Sequence, residues 1–68
     1  MSDDVRATYA AAIRATSARR VARVVGASRE AVLAYGGGFV VSPLTRFALE
    51  ARVDRIRQLL ADTTRATP

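Results

Sequence analysis

Arg19, Arg20, Arg23 and Arg29 fall within the twelve residues from Ala18 to Arg29, and no carboxylate interrupts them. Guanidinium groups at that density can neutralise phosphates and release the counterions condensed on a nucleic acid, or they can simply solvate one side of a helix. The overall charge favours the first use. With a net charge of +5 and an isoelectric point near 11.4, a chain this small has few common partners: nucleic acid first, then acidic proteins or anionic membrane.

Covalent chemistry has little to work with. The absence of cysteine and histidine removes disulfides, thiol nucleophiles, imidazole bases and nearly all zinc sites, so no metal or cofactor is expected. The six acidic residues are expected on exposed positions of short helices, without the cleft that a glycosidase-like carboxylate pair needs. Gly36-Gly37-Gly38 is not followed by the Gly-Lys-Ser/Thr of a phosphate loop, and lysine is absent altogether. The composition therefore points away from an enzyme. All 11 basic residues are arginine, which suggests a GC-rich coding sequence of the kind carried by bacteria and their phages.

The elements that must position these arginines read as helices. Ser2 can cap a first helix over Asp3 to Thr16, with Asp3 and Asp4 opposing the positive end of its dipole. Val5, Tyr9, Ala12, Ile13 and Thr16 then share one face, which makes Tyr9 a core aromatic and leaves Arg6 and Arg14 outside. Ser17 caps a second helix, Ala18 to Val25, whose valines oppose Arg19, Arg20 and Arg23, and Gly26 ends it. Ser28 caps a third, Arg29 to Tyr35, with Arg29 and Glu30 on its first exposed turn. The three glycines form a flexible exit leading to an extended Phe39-Val40-Val41, and Ser42-Pro43 opens a last helix reaching about Ala61.

The expected fold is all-α: one small four-helix domain over residues 1–62, followed by a frayed tail over 63–68. At 68 residues such a domain buries only roughly 60% of its unfolded surface, so its core is thin and dimerisation would help. The last helix carries two apolar stripes about 140° apart, Leu44, Phe47, Ala48 and Ala51 on one and Leu49, Val53, Ile56 and Leu60 on the other. One small core cannot use both. The 4-3-4 spacing of the second is a coiled-coil seam, and the expectation is that Leu49, Val53, Ile56 and Leu60 pair two subunits, the alternative being that they pack on the first helix. No apolar run approaches a membrane span and the N-terminus is acidic, so the chain is expected in the cytoplasm, at the nucleoid if it binds DNA.

Two short helices meeting at Gly26-Ala27-Ser28, with polar residues opening the second, describe a helix-turn-helix. From about Arg20 to Leu60 the sequence resembles the DNA-binding headpiece of the lactose-repressor family, and more loosely the phage repressor and Cro group. Ala22, Gly26-Ala27-Ser28, Val32, the triple glycine, Val41 and Thr45-Arg46 carry that resemblance.

The resemblance implies a homodimeric, repressor-like regulator of transcription bound to double-stranded DNA. Arg29 and Glu30 would read base edges, Ser28, Thr45 and Arg46 would contact phosphate, and Arg19, Arg20 and Arg23 would supply counterion release. Leu33 and Ala34 depart from it, standing where polar contacts are common, so direct readout would be narrow. No ligand-sensing domain follows the motif, so no small-molecule effector is expected. The competing expectation is a helical adaptor that grips another protein through the helix-turn-helix shape and the Leu49/Val53/Ile56/Leu60 stripe.

Overall fold

A computed structural model describes the backbone of residues 2–66 and the side chains of 4–65. The cap expected of Ser2, the Asp3 side chain and the end of the tail, Thr67-Pro68, lie outside the described residues. Five helices follow in order: α1 (Ser2–Ala15), α2 (Ala18–Val25), α3 (Arg29–Gly36), α4 (Pro43–Ala51) and α5 (Val53–Ala66). The described residues include no strand.

Three serines set the starts of α2, α3 and α4. Ser17, Ser28 and Ser42 hold extended backbone angles, and each Oγ accepts from the amide three residues on, at 3.1, 3.1 and 3.2 Å. Each bond satisfies an amide that the first helical turn would otherwise leave unpaired.

α1 packs against α2, α3 and α5 and is the member around which the others gather. Its Tyr9 and Ala12 meet Val21, Ala22 and Val25 of α2, Val32 and Tyr35 of α3, Leu49 of α4, and Val53 and Ile56 of α5 in one buried cluster. Tyr9 and Tyr35 meet edge to face, ring centroids 5.4 Å apart at 88°, the arrangement favoured by the ring quadrupoles. The Tyr9 hydroxyl donates to the Leu49 carbonyl at 2.7 Å, so the phenol is both packed and satisfied.

That bond sits where the expected last helix breaks. The single helix from Pro43 to Ala61 is in fact two, interrupted at Arg52, whose backbone (φ −106°, ψ 13°) leaves the helical region. The Arg52 amide reaches Ala48 at 3.2 Å and Leu49 at 3.3 Å, and the Leu49 carbonyl takes Tyr9 as its shorter partner. The two stripes lie on opposite sides of this segment, and one of them is buried. Leu49, Val53 and Ile56 turn into the chain's own core, Leu60 packs half-buried against it, and Leu44 and Phe47 are left outside. The subunit seam expected of Leu49, Val53, Ile56 and Leu60 is thereby corrected: α5 lies along α1 of the same chain.

Two further boundaries differ from expectation. Gly36 belongs to α3, because a bare Cα there lets the last turn press on α1: a Cβ would meet Ile13 Cδ1 at 3.2 Å and the Ala10 amide nitrogen at 3.4 Å. At the other end of the chain, α5 continues to Ala66 where a frayed tail was expected from residue 63. Leu59 and Thr63 are half-buried, the Thr63 hydroxyl donates to the Leu59 carbonyl at 2.8 Å, and Arg65 pairs with Asp62 at 3.5 Å.

Burial pushes the Tyr9 phenol up to about 12, with Tyr35 adding to the rise and Arg52 opposing it. The folded protein holds this proton more tightly than the unfolded chain does. Its contribution is therefore complete below pH 10 and is lost as the pH climbs through about 12, a fall of ~3 kcal/mol for a two-unit shift. Denaturant titrations between pH 9 and 12 should show that decline, and Tyr9→Phe should reduce it while costing ~1 kcal/mol at neutral pH through the lost hydrogen bond to the Leu49 carbonyl, which keeps the Arg52 amide. An unchanged alkaline limb in the variant would contradict this.

Candidate functional site

The corner between α2 and α3 occupies three residues. Gly26 takes the left-handed conformation (φ 70°, ψ 33°), and the Ala27 amide reaches back to the Ala22 carbonyl at 3.0 Å, the six-residue closure of a Schellman ending. A Cβ at Gly26 would find only ordinary contact, 3.7 Å from Arg52 Nη1, so the requirement for glycine is conformational. Ala27 is half-buried against the core, and Ser28 begins α3 at once.

Past this corner, α3 buries Val32 and Tyr35 and exposes Arg29, Glu30 and Leu33. Arg19, Arg20 and Arg23 are all exposed on α2, within roughly 100° of one another around its axis. The two sets are joined. One shallow depression is lined by Ser17, Ala18, Arg19, Arg29 and Leu33, and a second by Ser17, Arg19, Arg20, Arg23 and Val24. Sharing Ser17 and Arg19, they make one continuous surface that carries all four arginines.

None of these four arginines has an ion pair or side-chain hydrogen bond within the described residues. The carboxylates are engaged elsewhere: Asp4 and Asp54 with Arg57, Asp62 with Arg65 and Gln58, and Glu50 with the Tyr35 hydroxyl. Of the carboxylates whose side chains are described, Glu30 is the one that remains, next to Arg29 in the chain. Among the described residues, the four guanidinium groups thus face solvent without an ion pair.

Other arginines hold the scaffold. Arg52 donates to the Val25 carbonyl at 2.7 Å and Arg55 to the Val24 carbonyl at 3.5 Å, so two cations close the negative end of α2. Arg6 does the same for α3, donating to the carbonyls of Tyr35 at 2.8 Å and Phe39 at 3.1 Å while its guanidinium carbon lies 4.5 Å from the Tyr35 ring centroid. Sequence reasoning did not find these roles. Placement of Arg6 on the polar side of α1 was legible, but the carbonyls that Arg6, Arg52 and Arg55 reach are 27 to 33 residues away in the chain.

The remaining expected site residues are divided. Ser28 and Thr45 line one groove together with Gly26, Ala27, Ala31, Leu44 and Ala48, so they sit side by side. Thr45 there accepts from the Ser42 hydroxyl at 2.9 Å. Arg46 does not join them. It lies roughly 100° further around α4, on the flank of Glu50, where it acts on the Tyr35 hydroxyl. That phenol is raised by burial and then by Glu50, while Arg6 and Arg46 pull it down.

Among the described residues, no helix is long and apolar enough to cross a membrane. The chain matches no family model, no curated protein and no solved structure.

The corner is testable by stability alone. Gly26→Ala should cost ~1–2 kcal/mol for forcing a Cβ into the left-handed region, and Ser28→Ala ~1 kcal/mol for the lost cap, both read by denaturant unfolding. A Gly26→Ala variant as stable as the parent would mean that the corner is not held as described.

Proposed function

We propose that this chain binds double-stranded DNA as a helix-turn-helix protein of the repressor-like kind, with α2 braced on the phosphate backbone and the leading end of α3 in the major groove. The observation that carries this reading is the single surface on which Arg19, Arg20, Arg23 and Arg29 lie exposed and without intramolecular ion pairs. The corner at Gly26 supports it, because Arg29 and Glu30 are exposed just past it while Val32 and Tyr35 stay in the core. The resemblance to the lactose-repressor headpiece adds the same assignment for Ser28, Arg29 and Glu30.

In this reading Arg29 donates to the O6 and N7 acceptors of a guanine, and Glu30 accepts from a cytosine amino group or orients Arg29. Arg19, Arg20 and Arg23 supply sequence-independent affinity, and the Ser28 hydroxyl, its lone pair engaged by the Ala31 amide, still has a proton to donate to phosphate. Thr45 stands beside Ser28 in a position to add a phosphate contact. Arg46, on the other flank of α4, is left out of this assignment. An adaptor that grips its partner through Leu49, Val53 and Ile56 is disfavoured, because those side chains are buried.

Gel retardation of random and selected duplexes tests the proposal. Three arginine–phosphate contacts imply a salt slope near −2.7, so affinity should fall roughly 40-fold between 50 and 200 mM monovalent salt. Arg20→Ala should weaken all duplexes alike, whereas Arg29→Ala should also relax preference at one base pair by ~1–3 kcal/mol. Failure to retard any duplex at 50 mM salt, or two variants that bind as the parent does, would overturn it.

A further inference from the structure

Leu33 is 46% exposed in the second turn of α3, a helix that sends Val32 and Tyr35 into the core. At 100° per residue it stands about 40° around the axis from Arg29 and about 60° from Glu30, so it lies between them on the outward strip, one turn farther along. A lone exposed leucine is ordinary on a protein surface. This one has particular neighbours. It lines one shallow depression with Arg19 and Arg29 and a second with Ile13, Arg14 and Gly36. None of Arg14, Arg19 and Arg29 has an ion pair or side-chain hydrogen bond within the described residues. Next to Leu33, Ala34 offers only a methyl group, and Gly37, the following outward position, has no side chain. Past Arg29 and Glu30, the outward side of α3 therefore presents one large apolar side chain and no polar one.

The floor of a major groove offers such a side chain one distinctive partner, the C5 methyl group of thymine. The other base edges present donors and acceptors, which a leucine pressed on them would strip of water and leave unpaired. We propose, resting on the DNA-binding reading above, that Leu33 packs on a thymine methyl group and makes this chain select a thymine close to the guanine that Arg29 contacts. α3 rises about 6 Å between Arg29 and Leu33, against about 3.4 Å per base pair along a duplex, so the thymine falls within about two base pairs of that guanine.

The cations around the leucine fit the same partner. An apolar protein surface seated on Leu33 would cover Arg19 and Arg29 without neutralising them, whereas a duplex neutralises them as it brings the methyl group in. Leu33 is also a position at which the chain departs from the headpiece it resembles, so the resemblance does not supply this contact.

Replacing thymine by deoxyuridine removes the methyl group and keeps the base pair, which isolates the contact. The full chain selects a preferred site from a random pool of duplexes, each thymine of that site is replaced singly, and affinities are compared by fluorescence anisotropy at one salt concentration. The parent should lose about fourfold in affinity at one thymine, as expected for one buried methyl group, within about two base pairs of the guanine at which Arg29→Ala relaxes preference. Leu33→Ala should bind the thymine and deoxyuridine duplexes equally, with unchanged helical circular dichroism, since Leu33 lies outside the buried cluster. A selected site without a thymine there, a parent indifferent to every replacement, or a Leu33→Ala variant that distinguishes the two duplexes as the parent does overturns the proposal and leaves DNA binding standing. A chain that binds no duplex overturns both.

Discussion

The hydrogen bond from the Arg52 guanidinium to the Val25 carbonyl, 2.7 Å long, ties together the two places where this chain changes direction. Val25 is the last residue of α2, immediately before the left-handed Gly26, and Arg52 is the residue at which α4 gives way to α5. Without that bond the final carbonyls of α2 would end beside the core with a poorly compensated dipole. The break lies between Leu49, which enters the core from α4, and Val53 and Ile56, which enter it from α5. The corner that presents α3 and the bend that seats α5 on α1 therefore support one another.

That constraint gives the arginines two kinds of work. Arg6, Arg52 and Arg55 are committed to carbonyls at helix ends, and Arg57 joins Asp4 of α1 to α5 across 3.9 Å. The exposed Arg57 pairs are weak individually, and the bonds to helix ends matter more, because the carbonyls they meet have no helical partner. Arg19, Arg20, Arg23 and Arg29 are committed to nothing within the described residues. A guanidinium suits both uses, since its five donors can satisfy a carbonyl or straddle a phosphate.

How much of this was legible depended on whether the cause was local. The starts of α2, α3 and α4 were, because a capping serine acts on an amide three residues away. So was the end of α2 at Gly26, and so was Tyr9 as a core residue, from the spacing of α1. The break at Arg52 was not, since arginine is a good helix former and no glycine or proline marks the spot. Its causes are tertiary, a phenol from α1 at Leu49 and a carbonyl from α2 at Arg52. The two stripes did not signal it, since they keep the spacing of an uninterrupted helix, and reading the second as a subunit seam assigned to a second chain what α1 does within the same one. Gly36 was misplaced for a similar reason: its neighbour Ala10 is distant in sequence. At the site, the clustering of Arg19, Arg20, Arg23 and Arg29 was readable, whereas the separation of Arg46 from Thr45 followed from the orientation of α4.

The division of labour among the arginines is the central claim, and side-chain Nε–Hε resonances from ¹⁵N-labelled protein, titrated with a random-sequence duplex at low salt, test it most directly. The account predicts that the signals of Arg19, Arg20, Arg23 and Arg29 shift or broaden together while those of Arg6 and Arg52 stay where they are. Perturbations centred on Arg6 and Arg52, or a spectrum that does not respond to duplex at all, would contradict it.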